Sequence, residues 1–128
     1  LAKKASQENP VYYIQYAHAR ISSVLRKSES NTVSIPATFE FNKYERELAV
    51  VLIQLNDRVW ESAVKYAPHI LVQYCLDVAK KFHLFYHHCP VLNASESEKQ
   101  LRLFLLHKTQ FVLRKLLTIL GISAPDSM

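Results

Sequence analysis

Residues 95–121 read SESEKQLRLFLLHKTQFVLRKLLTILG, and no other stretch constrains the fold as tightly. Ser95 and Glu98 have the Ser-x-x-Glu spacing of a capping box, in which each side chain satisfies the other residue's backbone N–H at a helix start. From Leu101 to Leu120, apolar residues fall on most of the helical circumference, the pattern of a helix enclosed by others. Gly121, the single glycine, stands where the residue past a helix end takes a left-handed conformation. The pattern predicts a long helix from Ser95 to Leu120 at the centre of a helical domain.

The same period extends outward along the chain. Leu71, Tyr74, Cys75, Val78, Phe82 and Phe85 recur at spacings of three and four, predicting a helix from about Pro68 to His87 that Pro90 ends. Leu48, Val51, Leu52 and Leu55 predict another, beginning near Lys43 or Tyr44. A break at Asn56-Asp57 should separate it from a shorter helix through Val59, Trp60, Ala63 and Val64, closed before Pro68. Trp60 reads as a core or hinge aromatic. Asn9 suits an N-cap and Pro10 the first helical position, so a first helix runs to about Lys27. Residues 28–42, with Pro36 and many Ser, Thr and Asn, read as a long loop. The expectation is an all-α bundle of about five helices in one domain, 1–128, with residues 1–8 the remnant of a charged linker.

Composition narrows the function. At 49% apolar, 128 residues can bury an ordinary core. Apolar stretches such as Leu48–Leu55 fall far short of the ~20 residues a membrane helix needs. One glycine disfavours both a many-turned β fold and a phosphate-cradling loop. The net charge of +5 suits a polyanionic partner. Cys75 and Cys89 in apolar surroundings, without a secretory signal, suggest reduced thiols in a cytoplasmic protein.

The first helix carries more than a core stripe. On a wheel with Ile14 at zero, Val11, Ala17, Ile21, Val24 and Leu25 lie within about 80° of it. His18 falls at roughly 40°, at the edge of that stripe. Tyr13, Tyr16, Arg20 and Lys27 gather on the other side, between about −100° and −160°. Two phenol rings and two cations on one strip suit single-stranded nucleic acid, whose unstacked bases lie on rings and guanidinium planes. The same geometry also allows the tyrosines to pack against a neighbouring helix with their hydroxyls wet.

The run Asn9-Pro10-Val11-Tyr12-Tyr13-Ile14-Gln15-Tyr16-Ala17-His18-Ala19-Arg20 resembles a motif of arginyl-tRNA synthetases, at the start of their helical anticodon-binding domain of DALR type. The resemblance continues through Ala67-Pro68-His69, through Phe82-His83-Leu84-Phe85-Tyr86-His87-His88-Cys89-Pro90-Val91-Leu92, and to Leu120-Gly121-Ile122-Ser123-Ala124-Pro125 with a final Met128. It implies an anticodon-binding domain appended to a class I catalytic domain that uses ATP with Mg, with residues 1–8 the remnant of the linker from that missing catalytic domain, and an arginine-accepting tRNA as partner. It also implies that Tyr13, Tyr16, Arg20 and Met128 meet the anticodon, whose central cytosine is the base read. The chain departs from the family at Asp126-Ser127, where the usual ending is Glu-Arg-Met, so no arginine contact carries over there. Lys27, Lys80 and Lys81 are candidate phosphate contacts.

Other chemistry is thin. The class I His-Ile-Gly-His and Lys-Met-Ser-Lys motifs do not occur, so no catalytic residue, and no cofactor of this domain itself, is expected. His83 and His87 have the i, i+4 spacing of a helical zinc pair, and Cys89 could add a ligand, but closed sites need four, so no metal is expected. His18 reads as a satisfied, partly buried residue orienting neighbouring backbone. Cys75 should be buried and inert, and Cys89 more exposed. A monomer with no membrane contact is expected. The rival readings are a helical protein-interaction domain, whose tyrosine strip would be covered, and the anticodon module of another class I synthetase.

Overall fold

The computed structural model describes residues 9–28 and 34–128, so the expected linker at 1–8 and part of the 28–42 loop lie outside the described residues. Five helices follow in order: α1 (Pro10–Lys27), α2 (Lys43–Leu52), α3 (Leu55–Val64), α4 (His69–His88) and α5 (Glu96–Ile119). Among the described residues there is no strand, in keeping with the all-α expectation. None of these helices is long and apolar enough to cross a membrane.

The helices pack where their stripes meet. α4 touches all four others, and α5 packs on α1, α2 and α4. Ile14, Ile21, Phe82, Phe85, Leu106, Leu113, Leu116 and Leu117 are fully buried between them. α4 thus shares the centre expected of α5, whose Phe111 and Ile119 reach solvent. Val11, in the first turn of α1, is also exposed and does not join the core stripe.

The first break falls at Ile53-Gln54, before Asn56-Asp57. The buried Tyr74 hydroxyl donates to the Val51 carbonyl at 2.6 Å and lies 3.3 Å from that of Leu52. Those carbonyls would otherwise accept from Leu55 and Asn56 and continue the helix. An interaction from another helix, absent from the local pattern, therefore ends α2.

The expected capping box at Ser95 is not reciprocal. Ser95 Oγ donates to Glu98 Oε1 at 2.8 Å and caps no backbone N–H, while Glu98 Oε2 accepts from Arg102 at 3.0 Å. The ion pair draws the carboxylate from its capping role. A complete box forms instead at α2, where Asn42 Oδ1 accepts from Glu45 N–H at 2.9 Å and Glu45 Oε1 accepts from Asn42 N–H at 2.8 Å.

Two further expectations need correction. Trp60 is 73% exposed, on the outer side of a two-and-a-half-turn helix that contributes little to the core. Cys89 is buried, because its sulfur sits beneath Asn42, whose Nδ2 lies 3.4 Å away. Cys75 is buried as expected, and burial pushes its thiol up to about 12.

Gly121 has φ of +74° and closes α5 with paired bonds, Ile122 N–H to the Leu117 carbonyl at 2.8 Å and Gly121 N–H to that of Thr118 at 3.1 Å. This turn sends the last residues back over α1.

Candidate nucleic-acid interface

Asn9 Oδ1 caps the Tyr12 N–H at 3.2 Å with Pro10 at the first helical position, which fixes the start of α1. Tyr13, Tyr16 and Arg20 then follow at i, i+3 and i+7 on one side. That side borders a cleft against α4. The Tyr13 and Tyr16 rings lie 5.1 and 6.0 Å from the His83 ring, and the Arg20 guanidinium stands 4.5 Å from the Tyr86 ring centre and 5.5 Å from that of Tyr16. These five residues and His87 line an open cavity of about 620 Å³.

A second cavity, of about 360 Å³, shares Tyr16, Arg20 and Tyr86 and adds Arg26, Lys27, Leu92, Ser127 and Met128. Met128, 112 positions from Tyr16 in the chain, therefore stands across a cavity from it. Of the residues expected from sequence, Tyr13, Tyr16, Arg20, Lys27 and Met128 are brought to these adjoining hollows. Lys80 and Lys81 open onto a different one, between α2 and α4, where Lys81 Nζ is 3.7 Å from Glu47.

Tyr86 and His83 are the residues that sequence reasoning missed. Their spacing from buried Phe82 puts them on the flank of the α4 stripe, which the sequence shows. That this flank meets the tyrosine side of α1 depends on how the helices pack.

The site is cationic and aromatic. Among the described residues, no carboxylate pairs with Arg20, so its charge is held only by the faces of two phenol rings. The Tyr13 phenol is raised from its ordinary pKa by burial, which keeps its O–H as a donor. His83 is lowered from 6.5 to about 4, by burial first and by the nearby Arg20 charge second. Its Nε2 is buried with no partner. Neutral His83 thus serves as a ring surface between the tyrosines.

A pH dependence follows. An unfolded histidine titrates near 6.5, whereas folded His83 takes a proton only near pH 4. Between these values the unfolded chain binds more protons, so this contribution is complete above pH ~6.5 and is lost as pH falls toward 4. The expected loss is on the order of 2 kcal/mol, below what the full shift implies because the ring is partly wet. Urea unfolding from pH 7 to 4 should show it in the wild type and much less of it in His83→Phe. An equal slope in both proteins rules His83 out as the source.

Comparison with known proteins identifies the family. The DALR anticodon binding domain family matches residues 14–128. The arginine–tRNA ligase of Listeria welshimeri is 44% identical over the whole chain, and that of Desulforudis audaxviator 43%. In both cases the chain spans only 24% of the relative's length. The arginyl-tRNA synthetase structure from Thermus thermophilus superposes with a TM-score of 0.87 at 38% identity, covering 96% of this chain and 22% of that one. A putative arginyl-tRNA synthetase from Campylobacter jejuni gives 0.86 at 25% identity, covering 98% and 28%. From the match along its length and the shared helical architecture, the chain belongs to the DALR anticodon-binding domain family.

Proposed function

We propose that this chain recognises the anticodon loop of an arginine-accepting tRNA, as the anticodon-binding part of a cytoplasmic arginine–tRNA ligase. The full-length enzyme would join arginine to its tRNA using ATP and Mg. The chain itself holds neither class I ATP motif, so its share is recognition and positioning. One observation carries the reading: Tyr16 and Arg20 from α1 and Met128 from the far end of the chain wall the same cavity beside Tyr86.

Anticodon bases splayed from their stack would lie on the rings of Tyr13 and Tyr16, with Arg20 offering a planar cation and Lys27 a phosphate contact. Firm seating of the loop aims the distant acceptor end at the catalytic region. Lys80 and Lys81, on another face, are left to touch phosphates outside the loop.

Fluorescence titration with an arginine anticodon stem-loop tests this. Tyr16→Ala is expected to weaken binding about tenfold, the loss of one base–aromatic stack. Lys80→Ala should change it little, and replacing the central cytosine should weaken wild-type binding. Wild-type affinity in Tyr16→Ala, with a loss in Lys80→Ala, would place the RNA on the other face and reject the reading.

A further inference from the structure

Residues 123–126 are tied down along a second face of α1. Gln15 Nε2 donates to the Ser123 carbonyl at 2.9 Å and to its hydroxyl at 3.2 Å. His18 Nδ1 lies 2.8 Å from the Pro125 carbonyl. Ser22 Oγ donates to the Asp126 carboxylate at 3.2 Å and accepts from Gln110 at 2.7 Å. Arg26 donates to the Asp126 carbonyl at 3.0 Å, and Arg114 lies 3.6 Å from its carboxylate. Ile122 and Ala124 pack against the core between these bonds.

One donor on His18 follows from its partner. A carbonyl only accepts, so Nδ1 is a donating nitrogen. Nε2 is buried without a partner. Packing alone would favour an apolar side chain here, since a buried unpaired polar atom costs stability. What the imidazole supplies is one donor aimed at the tail.

The two faces of α1 are joined by the tail. Gln15, His18, Ser22 and Arg26 fall between about 40° and 120° on the wheel, whereas Tyr16, Arg20 and Lys27 lie between about −120° and −160°. Ala19 and Ser23 lie between them on the outward side, at about 140° and 180°. Ala19 is nevertheless buried, and lines the same cavity as Ser127 and Met128. The chain end therefore crosses the outer side of α1 from the clamped face to the tyrosine face.

We propose that Gln15, His18 and Ser22 are positioning residues for anticodon recognition: they hold residues 123–126 so that Met128 forms the far wall of the Tyr16–Arg20 cavity. The consequence for RNA rests on the anticodon reading above, but the seating of Met128 does not. Asp126 is part of this clamp through both its carboxylate and its carbonyl.

Met128 is the only methionine of the chain, so a ¹³C-methyl methionine label reports its seating without RNA. The wild-type methyl resonance should be displaced from its random-coil position by the Tyr16 and Tyr86 rings. Gln15→Ala and His18→Leu should move it toward random coil, and His18→Asn, which keeps a donor near Nδ1, should move it less. His18→Leu fills the buried site and removes the unpaired nitrogen, so the fold survives for measurement.

Stem-loop affinity should fall roughly three- to tenfold in His18→Leu, the weight of one ordinary contact. Adding Met128→Ala should bring no further loss, because both act through the same residue. A Met128 methyl unmoved by Gln15→Ala and His18→Leu overturns the clamp. A displaced methyl with unchanged affinity, while Tyr16→Ala still binds weakly, overturns its role in recognition and leaves the anticodon reading standing. If Tyr16→Ala also binds as wild type, the anticodon reading has failed, and the methyl shift alone decides whether the clamp seats Met128.

Discussion

Arg20→Ala is expected to lower stem-loop affinity by about 30- to 100-fold at low salt, through the combined loss of a stacked plane and a phosphate-facing charge. The guanidinium lies between the rings of Tyr86 and Tyr16 with no acidic partner among the described residues. Its charge is therefore not spent within the protein. Arg20→Lys separates the two contributions: an ammonium keeps the charge but lacks the plane that stacks and forks its hydrogen bonds. The lysine variant should keep the wild-type salt dependence yet recover less than half of the lost binding energy. Arg20→Ala should flatten the salt slope by about one. Full recovery by lysine would mean that charge alone acts and that the ring sandwich is incidental. An internal check needs no RNA: without the Arg20 charge, the pKa of His83 should rise back toward its ordinary range, while burial still holds it low. Tyr86→Ala should approach Arg20→Ala in effect, because it removes the nearer of the two rings that hold the guanidinium.

What the sequence conveyed followed from repetition within single segments. Three- and four-residue spacing locates all five helices, and Gly121, the single glycine, marks the end of α5. The wheel likewise separates Tyr13, Tyr16 and Arg20 from the core side of α1. What it could not convey came from contacts between segments. The end of α2 is set by a hydroxyl on α4. The cleft owes half its lining to His83, Tyr86 and His87, whose meeting with α1 is a matter of packing. The tail clamp was not visible: His18 reads as a satisfied, partly buried residue on neighbouring backbone, whereas it is fully buried with Nε2 unpaired and bonds a carbonyl 107 positions away. Exposure at Trp60 and burial at Cys89 go against their local surroundings for the same reason, since α3 offers little to the core and Asn42 covers the sulfur.

Arg102 is the clearest residue of that kind, and its removal is expected to cost more stability than any surface change. It stands between Leu101 and Leu103 on a buried side of α5, with Leu105, Leu106 and Thr109 at the following turns. Glu45 stands likewise on the buried side of α2, ahead of Leu48 and Leu52. Two opposite charges placed on apolar stripes must find each other or leave a charge uncompensated in the interior. Arg102 Nε donates to Glu45 Oε2 at 2.8 Å, with side chains 7% and 4% exposed. Its remaining nitrogens reach the Pro90 carbonyl at 2.7 Å and Glu98 at 3.0 Å. One guanidinium thus joins the start of α2, the turn after α4 and the first turn of α5. Arg102→Met preserves much of the stem but strands the Glu45 carboxylate, and should destabilise the domain by ~3–5 kcal/mol. Thermal unfolding should fall by more than about 10 °C. Adding Glu45→Gln removes the stranded charge while keeping an acceptor for the Asn42 N–H, and should recover a large part of the loss. The double variant decides the mechanism: if it is no more stable than Arg102→Met, the cost lies in the bonds to Pro90 and Glu98 and not in the unpaired carboxylate. Either way the effect should reach the proposed RNA site, because Pro90 lies two residues before Leu92, which lines the cavity of Met128.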